Sequence, residues 1–180
     1  MNEIISALEK ISADAQSVFG ALSAEQINWK PSAESWSVGQ CFEHLIKNNE
    51  IFYGELDRIA KGTRQNSFWE NWSPLTSIGG KFLIGSMKKD ERKFKAPSQK
   101  IVPPSEIDPN IIEIFAAHQA ELIGKIRKTA SADWRKIVIT SPFVKFMTYR
   151  LDDGFKIIVE HERRHFRQAK RVTETEGFPR

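Results

Sequence analysis

The chain has 180 residues, of which 40% are hydrophobic and 11% aromatic, so it is long enough for one domain with a sizeable hydrophobic core. Its single cysteine, Cys41, excludes an intrachain disulfide framework and fits a reducing compartment, and no segment approaches the roughly 18 apolar residues of a membrane span. The net charge of +4 comes from basic residues spread among acids, and the densest basic run, 88–95, is interpreted as a solvated helix face. We therefore expect a cytoplasmic protein with neither a membrane nor a nucleic acid as its partner.

Two helices are predicted in the first third of the chain. Residues 3–23 have apolar side chains at alternating spacings of four and three, which line one face of a helix. A break containing proline and serines follows, and Ser37 with Gln40 has the form of a capping box. The second helix is predicted to begin near Val38 and to end at the glycine-containing stop at 61–63.

The segment from about 62 to 108 is predicted to be a long connection between the second and third helices. It contains an aromatic run at 68–72, a stretch at 77–94 compatible with a short helix, and a proline-rich end. A structureless loop of that length is unusual in a compact domain, so part of it is expected to pack along the other helices. Trp69 and Trp72 could line the mouth of a pocket.

Two further helices follow this connection. Asp108 is the predicted N-cap and Pro109 the first residue of the third helix, which runs to about Thr129. After a connection with some strand-like character, the last helix covers roughly 149–176. Four long helices without a repeated strand pattern predict an all-α fold, an up-down four-helix bundle that forms a single domain over residues 1–180.

The last helix has two histidines on its predicted inward face. His161 and His165 lie one turn apart, at positions where the helical periodicity predicts apolar side chains. Buried imidazole nitrogens need partners, and a divalent cation bound by both rings would provide one. The spacing alone fits two arrangements without a metal equally well, namely a pair of hydrogen-bonded core histidines and an exposed helix edge.

A third histidine, His44, lies on the flank of the apolar stripe of the second helix and could face the bundle interior. Metal ligands that project from facing helices are the usual way to build a site in a bundle. Three neutral imidazoles with an open fourth position suit one divalent ion, for which zinc and nickel are preferred to iron and manganese.

Two segments of the chain resemble a known family. INWKPSAESWSVGQCFEHL at 27–45 and LDDGFKIIVEHERRHFRQAKRV at 151–172 are similar to the DinB-like superfamily of metal-binding four-helix bundles, specifically to its DinB_2 branch. In that family, WSxxxxxxHL on the second helix and HxxxH followed by Q on the fourth supply three histidines that bind one divalent metal. The resemblance implies three ligands and three supporting positions: His44, His161 and His165, with Trp36, Ser37 and Gln168.

The spelling HERRH at 161–165 also matches the HExxH signature of zinc proteases. An extended zincin has glycine and histidine where this chain has Gln168 and Arg171, and the chain after His165 is too short for a further helix that supplies a glutamate ligand. We therefore do not expect an HExxH metalloprotease. Glu162 is interpreted as a surface carboxylate or one that supports a ligand, rather than as a general base.

Other candidate residues have weaker signals. His118, on the third helix, could reach the site, although a lone histidine is more often part of the packing. Cys41 could be a fourth ligand or a redox thiol, although a small core residue is the more usual role. Trp29, Trp36 and Trp134 are interpreted as packing residues at helix ends.

The resemblance also implies an activity. Characterised relatives include S-transferases and isomerases that use mycothiol or bacillithiol, so it implies a metal-dependent thiol S-transferase with a small thiol and an electrophilic substrate as partners. A metal in such a site can lower the pKa of a thiol. It further implies a homodimer formed through helix faces. Two alternatives are a non-catalytic metal-binding or stress-response protein and a basic nucleic-acid-binding module.

Overall fold

The computed structural model describes residues 1–88, 101–144 and 146–180. Within these ranges the chain is mostly helical, with one small antiparallel sheet of two strands. In chain order the elements are α1 (Asn2–Phe19), α2 (Ala24–Asn28), α3 (Val38–Glu50), α4 (Tyr53–Ala60), α5 (Phe68–Trp72), α6 (Thr76–Lys88), α7 (Ile111–Lys128), β1 (Val138–Thr140), β2 (Thr148–Arg150) and α8 (Leu151–Thr173). None of the helices in the described ranges is long and apolar enough to cross a membrane.

The core lies between the long helices α1, α3, α7 and α8. Helix α3 packs against α7 and α8, and α1 packs against the same two helices. Phe42 of α3 makes edge-on contacts with Phe19 of α1 and Phe115 of α7, with ring centroids 5.4 and 4.9 Å apart. All three rings are fully buried, which agrees with the predicted helical bundle. The up-down order of the four helices stays a prediction.

The first helix is shorter than predicted. Helix α1 ends at Phe19 rather than at residue 23, and α2, a short separate helix, begins beyond the predicted end. Ser23 caps α2, because its hydroxyl accepts a hydrogen bond from the backbone N–H of Gln26, while the Gln26 side-chain oxygen accepts one from the backbone N–H of Ser23. A capping box satisfies backbone donors that have no partner at the start of a helix, so it favours a new helix start here.

The second predicted helix is also shorter than expected. It begins at Val38 with the predicted capping box, but α3 ends at Glu50 and the chain continues as α4. The break follows Asn48 and Asn49, residues of low helix propensity. Both are buried, so their side chains take part in the interior rather than in the solvent-facing surface of a long helix.

Part of the long connection packs, as predicted. Helix α6 lies against α8 and β2. The close packing of α6 on these two elements requires glycine at two positions. A Cβ atom at Gly79 would lie 2.5 Å from the backbone oxygen of Thr148, and one at Gly80 would lie 2.6 Å from Cβ of Asp153. The basic run at 88–95, predicted as a solvated helix face, lies outside the described residues except for Lys88.

We expect Gly79→Ala to destabilise the protein by about 1–3 kcal/mol, because the added methyl group forces α6 away from a backbone carbonyl. Gly85→Ala is the matched control on the same helix: a Cβ there meets no atom within 4 Å. Alanine in an open helical position stabilises by about 0.5–1 kcal/mol. Urea unfolding of both variants measures the difference, and equal effects of the two substitutions would contradict the close packing of α6.

The start of the third predicted helix is displaced. Helix α7 begins at Ile111 with Asn110 as its N-cap, so Pro109 precedes the helix. The carboxylate of Asp108 does accept a backbone hydrogen bond, at 2.8 Å, but the donor is the N–H of Asn110 in the turn before the helix. Aspartate commonly forms such local turns, which compete with capping.

The strand-like connection forms the small sheet. Strands β1 and β2 pair in antiparallel register, with Ile139 opposite Tyr149, and both side chains are buried. Because residues 148–150 belong to this pair, the last helix begins at Leu151 rather than at 149. The guanidinium of Arg64 donates to the backbone oxygen of Val138 at 2.6 Å and ties the chain before α5 to β1.

Candidate metal centre

Three histidine side chains from α3 and α8 come together. Nε2 of His161 lies 3.3 Å from Nε2 of His44 and 3.1 Å from Nε2 of His165, and one ligand atom from each ring lies within 4.8 Å of the others. A tetrahedral ion with metal–nitrogen bonds of about 2.0–2.1 Å keeps its nitrogen ligands about 3.4 Å apart. The three rings are therefore spaced so that they could bind a metal ion.

The tautomer of His44 is fixed by the main chain. Nδ1 of His44 lies 2.8 Å from the backbone oxygen of Ile101. A carbonyl oxygen can only accept, so Nδ1 carries the proton and Nε2 presents a bare lone pair to the other two rings. An imidazole whose second nitrogen donates to a carbonyl is the usual arrangement for a metal ligand. The partner is a backbone group, and no side chain in the sequence could have indicated it.

The protonation states of the cluster also suit a metal. Burial lowers the pKa of His44 and lowers that of His161 to about 3. Burial is also the main reason that the pKa of His165 lies well below its ordinary value, and the neighbouring His161 and His44 add to it while Gln168 opposes it. All three imidazoles are neutral at pH 7, and neutral imidazole is the form that binds a metal ion.

Trp36 covers one side of the cluster. Its ring centroid lies 4.8 Å from that of His44 and 5.6 Å from that of His165, the second in a stacked arrangement. Besides the expected packing at a helix end, the indole therefore packs on two of the three histidines, which is consistent with the supporting position that the resemblance implies. Ser37 next to it accepts a hydrogen bond from the N–H of Gln40 and sets the start of the helix that holds His44.

Glu162 is not a surface carboxylate, since it has 0% of its surface exposed. Asn49 Nδ2 donates to its Oε1 at 2.8 Å, and Gln119 Nε2 donates to its Oε2 at 2.7 Å. Burial raises the pKa of Glu162 to about 7, against the two amide hydrogen bonds that lower it. The sequence did contain a signal for its partners: Asn49 and Gln119 lie one turn after Leu45 and Phe115, on the apolar stripes of their helices.

The two remaining candidates lie apart from the cluster. His118 is buried on α7, where its Nδ1 lies 3.1 Å from the hydroxyl of Tyr53. Cys41 is fully buried in the hydrophobic core, and burial raises the pKa of its thiol to about 12. Among the residues that the structure describes, neither joins the group of ligand atoms formed by the three histidines.

We expect His118 to make the stability of the metal-free protein depend on pH. Burial lowers the pKa of His118 from 6.5 to about 4, so its contribution to stability is present above pH 6.5 and is lost as the pH falls through this range. In the His118→Gln variant, the free energy of unfolding should fall less steeply with decreasing pH, by up to about 1.4 kcal/mol per pH unit. Urea unfolding of both proteins between pH 4 and pH 6.5 measures the two slopes. Identical slopes would contradict the lowered pKa of His118.

The helices and the three-histidine cluster between α3 and α8 define the class: a helical protein that could bind a metal ion in its interior. The family model DinB_2, described as the DinB superfamily, matches residues 7–169, so the chain belongs to the DinB superfamily and the predicted resemblance is confirmed. The chain is also similar to the uncharacterized protein YuaE of Bacillus subtilis (strain 168), with 24% identity over 157 residues that cover 85% of this chain and 86% of that protein. No solved structure matches it.

Proposed function

We propose that the protein binds one divalent metal ion through Nε2 of His44, His161 and His165, inside an up-down four-helix bundle. The observation that carries this proposal is the approach of the three nitrogens to within coordination spacing, with the lone pair of His44 directed by its bond to Ile101. Zinc or nickel suits three imidazoles better than iron or manganese does. Membership of the DinB superfamily supports metal binding at this place.

We further propose that the site serves a thiol S-transferase reaction on a small electrophile, with a thiol of the bacillithiol or mycothiol kind as cosubstrate. A bound divalent ion would supply positive charge that lowers the pKa of a thiol at the position left open by the three histidines. The thiol has to come from a second substrate, because the single cysteine of the chain is fully buried and its pKa is raised to about 12.

The surroundings of Glu162 support a reaction other than peptide hydrolysis. A general base in a zinc protease must reach a water beside the metal. Here both carboxylate oxygens of Glu162 accept hydrogen bonds from the buried amides of Asn49 and Gln119. We therefore propose that the HERRH segment is not the active site of an HExxH metalloprotease.

A thiol-conjugation screen tests the activity. The metal-loaded protein, its His161→Ala variant and a His118→Gln control are mixed with bacillithiol or mycothiol and an electrophile such as monochlorobimane. The proposal expects accelerated conjugation with the unaltered protein and with the control, and none with His161→Ala. Metal binding without acceleration by any electrophile would contradict the transferase proposal.

The burial of two of the three histidines favours a second candidate function, a non-catalytic metal-binding or stress-response role. His44 and His165 are 4% and 8% exposed and His161 is partly exposed, so the cluster offers little surface to a substrate. The same screen separates the two functions.

A cytoplasmic location and a homodimer are also part of the proposal. Sedimentation of the purified protein tests whether it forms a homodimer.

A further inference from the structure

The two helices that hold the histidine cluster are joined by a second buried contact. Asn49 lies on α3 in the turn after His44, and Glu162 lies next to His161 on α8. The side-chain amide of Asn49 donates to Glu162 at 2.8 Å, and both residues are 0% exposed. The helices α3 and α8 are therefore linked at two neighbouring points, through histidines at one and through this polar pair at the other.

A buried carboxylate is costly unless its hydrogen bonds have good geometry. The hydrogen bonds of this carboxylate restrict how the helices are oriented relative to one another. Apolar contacts depend on the area removed from water and tolerate small rotations of a helix, whereas a hydrogen bond to a carboxylate weakens steeply when its angle or length changes. Glu162 is the residue next to His161, so a rotation of α8 that turned His161 away from His44 would also displace Glu162 from Asn49 and strain their hydrogen bond.

The other oxygen of Glu162 provides an internal comparison. Gln119 donates to Oε2 at 2.7 Å, almost the same length as the bond from Asn49, and is 1% exposed. Gln119 lies on α7, however, and that helix contributes none of the three histidines. The two amides are alike in chemistry and burial, but only the bond from Asn49 joins the two ligand-bearing helices. Nε2 of Gln119 also lies 3.5 Å from the backbone oxygen of Leu8 on α1.

We propose that Glu162 is a positioning residue for the metal site, whose hydrogen bond with Asn49 sets the rotation of α8 against α3 so that His161 and His165 face His44. This inference rests on the proposed metal binding. Loss of the Asn49 bond then lowers both the stability of the fold and the affinity for the metal. Loss of the Gln119 bond lowers the stability alone.

Titration with Co²⁺, followed in the visible spectrum, tests this assignment in the unaltered protein, Asn49→Ala and Gln119→Ala. All three are compared at a temperature where circular dichroism shows complete helix content. We expect Asn49→Ala to bind Co²⁺ about tenfold more weakly or worse and with an altered spectrum, as for the loss of other groups that orient a ligand. Gln119→Ala should bind Co²⁺ with the affinity and spectrum of the unaltered protein.

A second pair of variants keeps the test decisive if Asn49→Ala does not fold. Glu162→Gln can keep both hydrogen bonds after one partner amide turns over, because Oδ1 of Asn49 and Oε1 of Gln119 have no partner within the described structure. Glu162→Met has similar size and no polar end. Glu162→Gln should bind Co²⁺ with the affinity of the unaltered protein, and Glu162→Met should bind Co²⁺ about tenfold more weakly or worse.

Equal Co²⁺ affinities for Asn49→Ala and Gln119→Ala, or for Glu162→Gln and Glu162→Met, would overturn the inference while leaving the proposed metal binding in place. Failure of the unaltered protein to bind Co²⁺ would overturn the proposed metal binding and this inference together. The two failures are therefore distinguishable from a single set of titrations.

Discussion

Replacing His161 with alanine is expected to abolish specific metal binding. Its Nε2 is the central atom of the cluster, within 3.3 Å of Nε2 of His44 and 3.1 Å of Nε2 of His165, so its loss leaves two ligands without the nitrogen between them. Losing an outer partner of a ligand already costs about 10–100-fold in affinity, and the loss of a ligand itself should exceed about 100-fold. Calorimetric titration with Zn²⁺ measures the affinity of both proteins for the metal.

The same substitution should remove the stabilisation that a bound metal provides. At a metal concentration 100 times the Kd, binding to the folded state adds about 2.7 kcal/mol to the free energy of unfolding. The unaltered protein should therefore unfold at a higher temperature when Zn²⁺ is added, and His161→Ala should not. His118→Gln is the matched control, a buried histidine outside the cluster, and should keep the shift. A shift of equal size in His161→Ala would place the metal elsewhere.

Replacing Glu162 with alanine is expected to lower the free energy of unfolding by about 3–5 kcal/mol. The change leaves the buried amide of Asn49 without an acceptor and that of Gln119 with only a long bond, 3.5 Å, to the backbone oxygen of Leu8. Each loss costs about 1–3 kcal/mol, and the change also opens a cavity between three helices. Few single substitutions cost this much, and those that do involve buried networks of this kind. Urea unfolding of the metal-free protein measures the effect.

Glu174→Ala provides the control for this prediction, since Glu174 follows the same helix and its side chain is 59% exposed beside Lys170. A surface ion pair contributes about 0–1 kcal/mol. A loss in Glu162→Ala as small as that in Glu174→Ala would show that the carboxylate is not held by the two amides.

The histidine cluster could be predicted because two of its residues violate a pattern. His161 and His165 occupy positions where the period of the helix predicts apolar side chains. His44 is a candidate from its place beside the apolar stripe of the second helix, and the resemblance to the DinB superfamily supports it. The bond from His44 to the backbone of Ile101 could not be predicted, since every residue has a carbonyl and the choice depends on tertiary packing. Long-range backbone partners have no sequence signal of their own.

The burial of Glu162 shows where a single apolar stripe is too simple a description. A helix packed against α3 and α1, with a side chain that also reaches α7, buries more than one line of residues, so a residue adjacent to the stripe can face the interior. Asn49 and Gln119, polar residues at stripe positions, were the detectable sign that a polar partner lay between them.

The helix boundaries depended on local competition that periodicity does not measure. Ser23 and Gln26 form a capping box that starts a new helix, although the apolar spacing of the first predicted helix continues up to it. Residues 148–150 pair as a strand because Tyr149 buries its side chain opposite Ile139, and this pairing delays the start of the last helix. In both cases hydrogen bonds to another segment or to a side chain prevail over the helical pattern.

X-ray absorption at the zinc edge of the metal-loaded protein identifies the atoms bound to the ion. We expect three imidazole nitrogens at about 2.0–2.1 Å from the metal, and the loss of one of them in His44→Ala. A shell with fewer than three imidazoles, or one containing sulfur at about 2.3 Å from Cys41, would contradict the assignment of His44, His161 and His165 as the metal ligands.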